Sequence, residues 1–210
     1  MRPITVTVGN MVTAASATAI RTATTVAAGD LVLNGAQALT GLETDRNLLF
    51  TFAGAEPGLR LTVEGASSTG QPVSETILGP AGAGTVLSNN LYRKVYRVAS
   101  NQASVGAVSI GTSAIGTSRP IYLDPWAWTP IGVQATVAGT ANWTLQVCAT
   151  DGAFGSDPMV WVSAPDAALV GQAGNAVGQL AVPFAFARVL LNSGTGLVTA
   201  TITQPGVVNR

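Results

Sequence analysis

Glycine and proline interrupt the sequence every few residues, and this spacing limits the chain to short secondary-structure elements. The chain has 24 glycines and 11 prolines in 210 residues. The runs between them are rich in valine and threonine, which favour strands over helices. Apolar and polar residues alternate, as in a half-buried strand, in "RLTVEG", "IGVQATVAG", "NWTLQVCAT" and "GLVTATITQ". The sequence therefore predicts an all-β protein of many short strands joined by turns.

The predicted strands lie on both sides of "GTSAIGTSRPIYLDPWAWTP", a segment rich in glycine, serine and proline. Each side has close to the size of a small β-sandwich. We therefore expect two small, jelly-roll-like β-sandwich domains, residues 30–116 and 117–210, or one extended sandwich. Residues 1–29 are expected to be an N-terminal arm or a first strand. Their Ala- and Thr-rich part also leaves a short helix open, although its threonines favour an extended conformation.

Charged side chains are scarce in this chain. They make up 10% of the residues, and ten basic residues cancel ten acidic ones, whereas about 25% is usual in a soluble domain. Such a chain has only a weak field to attract a nucleic acid or an acidic substrate. Net charge near zero also favours contact between copies. The composition therefore favours a protein that packs against neighbours and has no nucleic-acid partner.

Residues able to carry acid–base or metal chemistry are few. The chain has no histidine, the commonest general base and metal ligand, and its one cysteine, Cys148, makes no internal disulfide or thiolate zinc site. Asp151 and Asp157 flank a loop, and Glu43 lies near Asp45, but neither pair has the spacing of a calcium loop. We therefore predict that the protein is not an enzyme and has no catalytic, cofactor-binding or metal-binding residues.

The stretch "VSETILGPAGAGTV" contains Gly79, Gly82 and Gly84 directly after a strand-like run. A phosphate-binding loop needs a helix after its glycines, and a nucleotide loop also needs a lysine. Here Thr85 and Val86 follow, and no lysine does. The stretch is therefore interpreted as a turn in which Pro80 fixes φ and the glycines take positive φ.

The most basic segment of the chain is "YRKVYRV". Strand alternation would place Tyr92, Lys94 and Tyr96 on one face, and Arg93 and Arg97 on the other. Basic residues interleaved with aromatic ones can bind nucleic acid, but this set is small and divided between two faces. We interpret the segment as an edge strand protected by its charges, or as a contact between subunits.

Two tryptophans, Trp126 and Trp128, lie in the segment between the two predicted halves. We expect them to anchor this segment on a domain surface. The alternative is an exposed aromatic pair that binds a ligand such as a carbohydrate.

The N-terminus has no long apolar run of the signal-peptide kind, and no stretch reaches the roughly 18 apolar residues of a membrane helix. We therefore expect no membrane partner.

Residues 59–112 contain a succession of short elements that resembles a segment of virion structural proteins of tailed bacteriophages. In that family a strand ending in glycine is followed by a hairpin of the form "dGxpvsEti", by "Gp", by an aromatic and basic strand, and by a strand of the form "vsvGt". The corresponding residues here are Gly65, Gly70, Gln71, Pro72, Val73, Glu75, Thr76, Ile77, Gly79, Pro80, Gly111 and Thr112.

The second half is similar to the C-terminal part of the same proteins. "RPIYLDPWAWTPIGVQATVAGTANWTLQVCATD" resembles a strand pair that packs on a sandwich, and "VPFAFARVLLNSGTGLVTATITQPG" resembles their closing hairpin. The hairpin includes Arg188, Gly194, Gly196 and Gln204. The resemblance covers roughly residues 30–206, and it is a likeness of structural elements that carries over no functional residue.

The resemblance implies a structural component of a tailed-phage virion. We expect a capsid decoration (cement) protein that binds the outer capsid surface and stabilises the shell, with the N-terminal segment as an arm that adds a strand to a neighbour. The expected partners are the major capsid protein and copies of the chain itself, as a homotrimer. The expected location is the capsid surface of the virion, after synthesis in the host cytoplasm. Alternatives are a tail, baseplate or head-fibre structural protein and, from a different class, a carbohydrate-binding module.

Overall fold

The computed structural model describes residues 2–9, 15–42, 44–124, 129–150 and 159–204, with only the backbone described for 2–9. The strands in chain order are β1 (Arg2–Gly9), β2 (Ser16–Thr24), β3 (Gly29–Asp30), β4 (Asp45–Phe52), β5 (Arg60–Ala66), β6 (Pro72–Leu78), β7 (Gly84–Tyr92), β8 (Lys94–Ser100), β9 (Val108–Thr117), β10 (Ile121–Tyr122), β11 (Ile131–Ala138), β12 (Ala141–Cys148), β13 (Val162–Ser163), β14 (Ala176–Leu180), β15 (Phe186–Gly194) and β16 (Leu197–Gln204). One short 3₁₀ helix, η1 (Ala167–Leu169), precedes β14, and no described residue is α-helical. The all-β prediction is confirmed.

The chain divides into two compact units, which we call the continuous unit (residues 13–116) and the split unit (residues 1–12 and 117–210). In the continuous unit, one sheet contains β9, β4 and β7 in that order, with β2 paired to β9, and the other has the order β3-β8-β5-β6. Both sheets bury one face in a shared core, which includes Phe50 of β4, Leu61 of β5 and Val98 of β8. This unit is therefore a β-sandwich.

The split unit also has two sheets. One has the order β1-β16-β11-β14, and in the other β12 lies between β13 and β15, with β10 paired to β15. Alternate residues of these strands meet in a second core, which includes Trp143 of β12, Val133 of β11 and Ala200 of β16. This unit is a sandwich as well, and it is assembled from both ends of the sequence.

The N-terminal region contributes a strand to each unit. Strand β1 pairs antiparallel with β16 in the split unit, and β2 pairs antiparallel with β9 in the continuous unit. Ile20 and Val26 are buried members of the core of the continuous unit. The described residues of this region are therefore integral to the two folds.

The described part of the chain contains no helix long and apolar enough to cross a membrane.

The basic segment "YRKVYRV" is divided between two strands. Strand β7 ends at Tyr92 and β8 begins at Lys94. The register between β5 and β8 then shifts, and Tyr96 is the extra residue between the paired positions Val95 and Arg97. Because this β-bulge breaks the alternation, Lys94, Tyr96 and Arg97 are all exposed, while Tyr92 and Val95 are buried. The expected division of the segment between two faces is therefore wrong.

The turn between β6 and β7 has a different basis from the one expected. None of Gly79, Gly82 and Gly84 has a positive φ. At Gly79 the reason for glycine is space, because a Cβ there would overlap the carbonyl oxygen of Glu56. The Gly79 N–H donates to the Leu59 carbonyl at 2.8 Å. The residues after Gly84 form strand β7 instead of the helix that a phosphate loop requires.

Candidate interaction surfaces

The structure describes only some of the residues weighed from the sequence, and the described ones do not assemble into a metal site. Five of them lie outside the described residues: Glu43, Trp126, Trp128, Asp151 and Asp157. Asp45 supports a loop, because its carboxylate accepts hydrogen bonds from the Ser68 backbone N–H at 3.1 Å and the Ser68 hydroxyl at 2.7 Å. Cys148 is buried at the end of β12. Among the described residues, no group of three or more acidic or cysteine side chains could hold a metal ion.

Two buried charged residues of the continuous unit bind backbone groups. The carboxylate of Glu56 accepts hydrogen bonds from the N–H groups of Val105 at 3.0 Å and Gly106 at 2.6 Å. The Arg21 guanidinium donates to the carbonyl of Val108 and, at 2.6 Å, to the Thr24 hydroxyl. Burial lowers the pKa of Arg21. These contacts connect loops and strands that are distant in sequence, so both charges have a structural role.

The outer face of the sheet formed by β13, β12, β15 and β10 carries a group of aromatic and polar side chains. In β15 the residues Ala187, Val189 and Leu191 are buried in the core, so the alternating positions Phe186 and Arg188 lie on the opposite face. Pairing then brings in neighbours from other strands, since Phe186 is opposite Tyr122 and Arg188 is opposite Gln146. We call Tyr122, Gln146, Trp161, Phe186 and Arg188 the aromatic surface.

The side chains of the aromatic surface support one another. The rings of Tyr122 and Phe186 meet edge to face, with centroids 5.4 Å apart, and Tyr122 is 50% exposed. The Arg188 guanidinium carbon lies 4.2 Å from the centroid of the Trp161 ring, and Arg188 Nε donates to Gln146 Oε1 at 2.8 Å. A guanidinium held both by a ring and by an amide loses little side-chain freedom when a partner binds.

A second surface lies on the β3-β8-β5-β6 sheet of the continuous unit, and we call it the charged surface. Arg97 Nη2 lies 2.7 Å from Asp30 Oδ1, and Arg97 Nη1 lies 3.0 Å from Glu64 Oε1. The hydrogen bond and charge of Asp30 raise the pKa of Arg97, with a smaller effect of Glu64. Lys94 Nζ lies 5.7 Å from the centroid of the Tyr96 ring, which is 61% exposed. Because exposed ion pairs contribute little stability, we regard this group as a solvated face with Tyr96 as its main apolar residue.

Sequence reasoning identified the basic residues of the charged surface, but it missed the aromatic surface. The alternation in "PFAFARVLL" signals that Phe186 and Arg188 share a face. No local signal shows that Tyr122 and Trp161 lie beside them, because they come from β10 and from the residue before β13. Only the strand pairing brings these side chains together.

No protein-family model matches the chain, no curated protein matches its sequence, and no solved structure matches its fold. The class of the protein is therefore given by its architecture, an all-β chain with two sandwich units.

Proposed function

We propose that this protein is a structural component of a tailed-phage virion, namely a capsid decoration (cement) protein that binds the outer capsid surface and stabilises the shell. The aromatic surface of the split unit is the observation that supports a binding role. Tyrosine, tryptophan and arginine are the residue types that concentrate at interaction hot spots. The virion assignment itself rests on the sequence resemblance over residues 30–206.

The distribution of charge supports a binding role over a catalytic one. Glu56 and Arg21 are engaged by backbone groups or a neighbouring hydroxyl, which leaves them no reacting partner. Tyr122 and Tyr96 are the exposed aromatic side chains among the large apolar residues of the described part of the chain, and both lie on strands. A rigid sheet that presents fixed aromatic groups suits a protein that binds many equivalent positions and stabilises them by mass action.

The proposed partners are the major capsid protein and copies of the chain itself. The aromatic surface is assigned to the capsid protein, because its supported arginine and aromatic rings suit a persistent contact with a folded surface. Association of copies as a homotrimer stays a prediction, and no nucleic acid or membrane is included.

The assignment is tested with phage shells that lack this chain and with the purified protein. After mixing and sedimentation, quantitative mass spectrometry counts the bound copies, and electron microscopy locates them. Many copies spread over the shell are expected. A few copies at one vertex or on the tail would replace the proposal with the tail, baseplate or head-fibre alternative. Absence of binding to any part of the particle would overturn the virion role.

The surface is tested with three variants in the same assay. Trp161→Ala and Tyr122→Ala should each weaken shell binding by about tenfold or more, because truncating a hot-spot residue costs about 2 kcal/mol or more and about 1.4 kcal/mol is a factor of ten. Tyr96→Ala, on the charged surface, is the matched control and should bind like the original protein. Thermal unfolding establishes that all three variants are folded. Equal losses in all three would remove the aromatic surface from the contact.

A carbohydrate-binding role is the second candidate, and Tyr122 is the observation that favours it. Its half-exposed ring shares a sheet face with the polar groups of Arg188 and Gln146, and sugars bind proteins by stacking on such rings beside hydrogen-bonding groups. Binding on a glycan array that disappears in Tyr122→Ala would favour this role over the capsid contact. An array without binding would exclude it for the sugars present.

A further inference from the structure

The free edge of a sheet can pair with a strand of another chain, and natural proteins therefore close or shorten such edges. In the split unit, β14 is closed at its outer side. The Asp166 carboxylate accepts a hydrogen bond from the Gln179 N–H at 2.8 Å, and a Cβ at Gly178 would lie 2.6 Å from Asp166 Oδ2. The backbone hydrogen bonds from Gln179 and Ala168 lower the pKa of Asp166. A charged carboxylate thus occupies this edge, and the strand at the edge of the other sheet next to β12 is β13, which has only two residues.

In the continuous unit, the edge strands β6 and β7 are joined by hydrogen bonds between side chains and backbone groups. The Glu75 side chain on β6 accepts hydrogen bonds from the backbone N–H groups of Asn89 and Asn90 on β7, both at 3.1 Å. The Asn90 side chain donates in return to the Ser74 carbonyl at 3.3 Å. These groups occupy backbone positions that an added strand would need.

The remaining edges of the continuous unit are covered or short. A loop follows β2, and its N–H groups at Gly35 and Gln37 donate to the carbonyls of Ile20 and Ala19, both at 2.8 Å. Strand β3 has only two residues. Neither offers a long template for another strand.

Strand β1 differs from all of these edges. Its eight residues pair with β16 in one unbroken register, from Arg2 opposite Gln204 to Gly9 opposite Leu197. No described strand pairs with its other side. Its sequence, "RPITVTVG", is rich in β-branched residues, and the two residue types that discourage edge pairing, Arg2 and Pro3, lie together at its first end. A long, regular and nearly uncharged edge strand is the type that associates with another chain.

We propose that β1 pairs antiparallel with β1 of a second copy of this chain, so that two four-stranded sheets join across a two-fold axis. Contact between identical edges is isologous, and it needs no second free edge, whereas head-to-tail pairing would need one of the closed edges. The antiparallel arrangement places the two Arg2 residues at opposite ends of the strand pair, which limits their repulsion. The chain's zero net charge adds no general repulsion.

This inference deepens the self-association in the proposed function, but it does not depend on capsid binding. A two-fold contact joins two copies, so a homotrimer would use it only to link one trimer to the next. Shell sedimentation tests the capsid role, and the assembly state of the free protein tests this contact, so the two can fail separately.

The contact is tested by sedimentation velocity over a range of protein concentrations. The original protein should form dimers, or assemblies that contain dimers, as concentration rises. Thr5→Lys combined with Thr7→Lys should abolish this association, because antiparallel pairing brings the added charges of two copies together. Val177→Lys combined with Gln179→Lys adds the same charge to the closed edge strand β14 and should leave association unchanged.

A charge exchange separates blocked pairing from a folding defect. Thr5→Glu combined with Thr7→Glu should also be monomeric alone, and an equimolar mixture with the lysine variant should form mixed dimers at low salt. Thermal unfolding of each variant shows whether it is folded. A mixture that stays monomeric although both variants are folded would overturn the proposal.

Hydrogen exchange tests the contact in the unaltered protein. Amide exchange in residues 2–9 should slow as concentration rises, while exchange in residues 176–180 should not change with concentration. A protein that stays monomeric with concentration-independent exchange in residues 2–9 would overturn the inference. A dimer that forms equally well with the lysines at positions 5 and 7 would overturn it too.

Discussion

Tyr92 shows how one buried side chain can make stability depend on pH. Burial raises the pKa of Tyr92, and the negative charge of Glu75 raises it further. The folded protein therefore keeps the phenol neutral at a pH where the unfolded chain ionises it. The contribution of Tyr92 to stability is complete below the unfolded pKa of about 10, and it is lost as the pH rises above that value.

We expect Tyr92→Phe to remove this alkaline loss of stability. Above about pH 10, the original protein should lose up to about 1.4 kcal/mol per pH unit relative to the variant, which is the linkage slope for one proton. Urea unfolding at several pH values from 9 to 11.5 gives both curves. Tyr96→Phe changes an exposed tyrosine and should follow the original protein. Curves for Tyr92→Phe that run parallel to the original over this range would contradict the prediction.

At the scale of elements, the hydrogen bonds of Glu75 show how a side chain can connect the edge strands of two sheets. Strands β6 and β7 belong to different sheets of the continuous unit, and the Glu75 carboxylate connects them through the N–H groups of Asn89 and Asn90. Removing this acceptor takes away the partner of the partly buried Asn90 N–H, while the exposed Asn89 N–H can bond to water instead. Such a loss costs about 1–3 kcal/mol.

Glu75→Ala should therefore lower the free energy of unfolding by about 1–3 kcal/mol and increase amide exchange in residues 84–92. Glu64→Ala is the control, because it removes an exposed glutamate from the neighbouring strand β5, and its effect should be smaller. Urea unfolding and hydrogen exchange measure the two effects. Equal destabilisation by both variants would show that the connection between the sheets does not contribute as argued.

The same scale shows which strands the sequence could predict. Strands β11 and β16 have an unbroken alternation with one buried face, and their positions follow from that pattern alone. Strand β7, "GTVLSNNLY", is polar and its pairing with β4 shifts register, so no regular period marks it. The register of β2 against β9 also shifts twice. The alanine- and threonine-rich residues of β2 therefore show no regular alternation, and the sequence alone does not distinguish an arm, a strand and a helix there.

Contacts between distant residues could not be predicted from one sequence. The sequence predicts that Gly79 is a glycine because of its turn conformation, but the structure shows that glycine is required there by the backbone of Glu56 in another loop. The aromatic surface likewise depends on Tyr122 and Phe186 being paired across two strands. Periodicity predicts which face a side chain occupies, and strand order, which joins residues far apart in the chain, decides what it meets.

At the scale of the whole molecule, the N-terminal residues belong to the same compact unit as the second half of the chain. Residues 1–12 belong to the split unit, residues 13–116 form the continuous unit, and the chain then returns to the split unit. Strand β1 pairs with β16, whose Val198, Ala200 and Ile202 are buried. Strands β1 and β2 are therefore paired parts of the two units, and we expect their removal to affect both folds.

Two truncations should separate the contributions of β1 and β2. Deleting residues 1–12 should speed amide exchange in residues 197–204, because β16 loses its pairing partner, while exchange in residues 45–52 should not change. Deleting residues 1–24 also removes β2 and the buried Ile20, so exchange should rise in both ranges. A synthetic peptide of residues 2–9 added to the shorter truncation should restore protection in residues 197–204. Unchanged exchange in both truncated proteins would instead be the behaviour of a free arm, and it would contradict the pairing of β1 with β16.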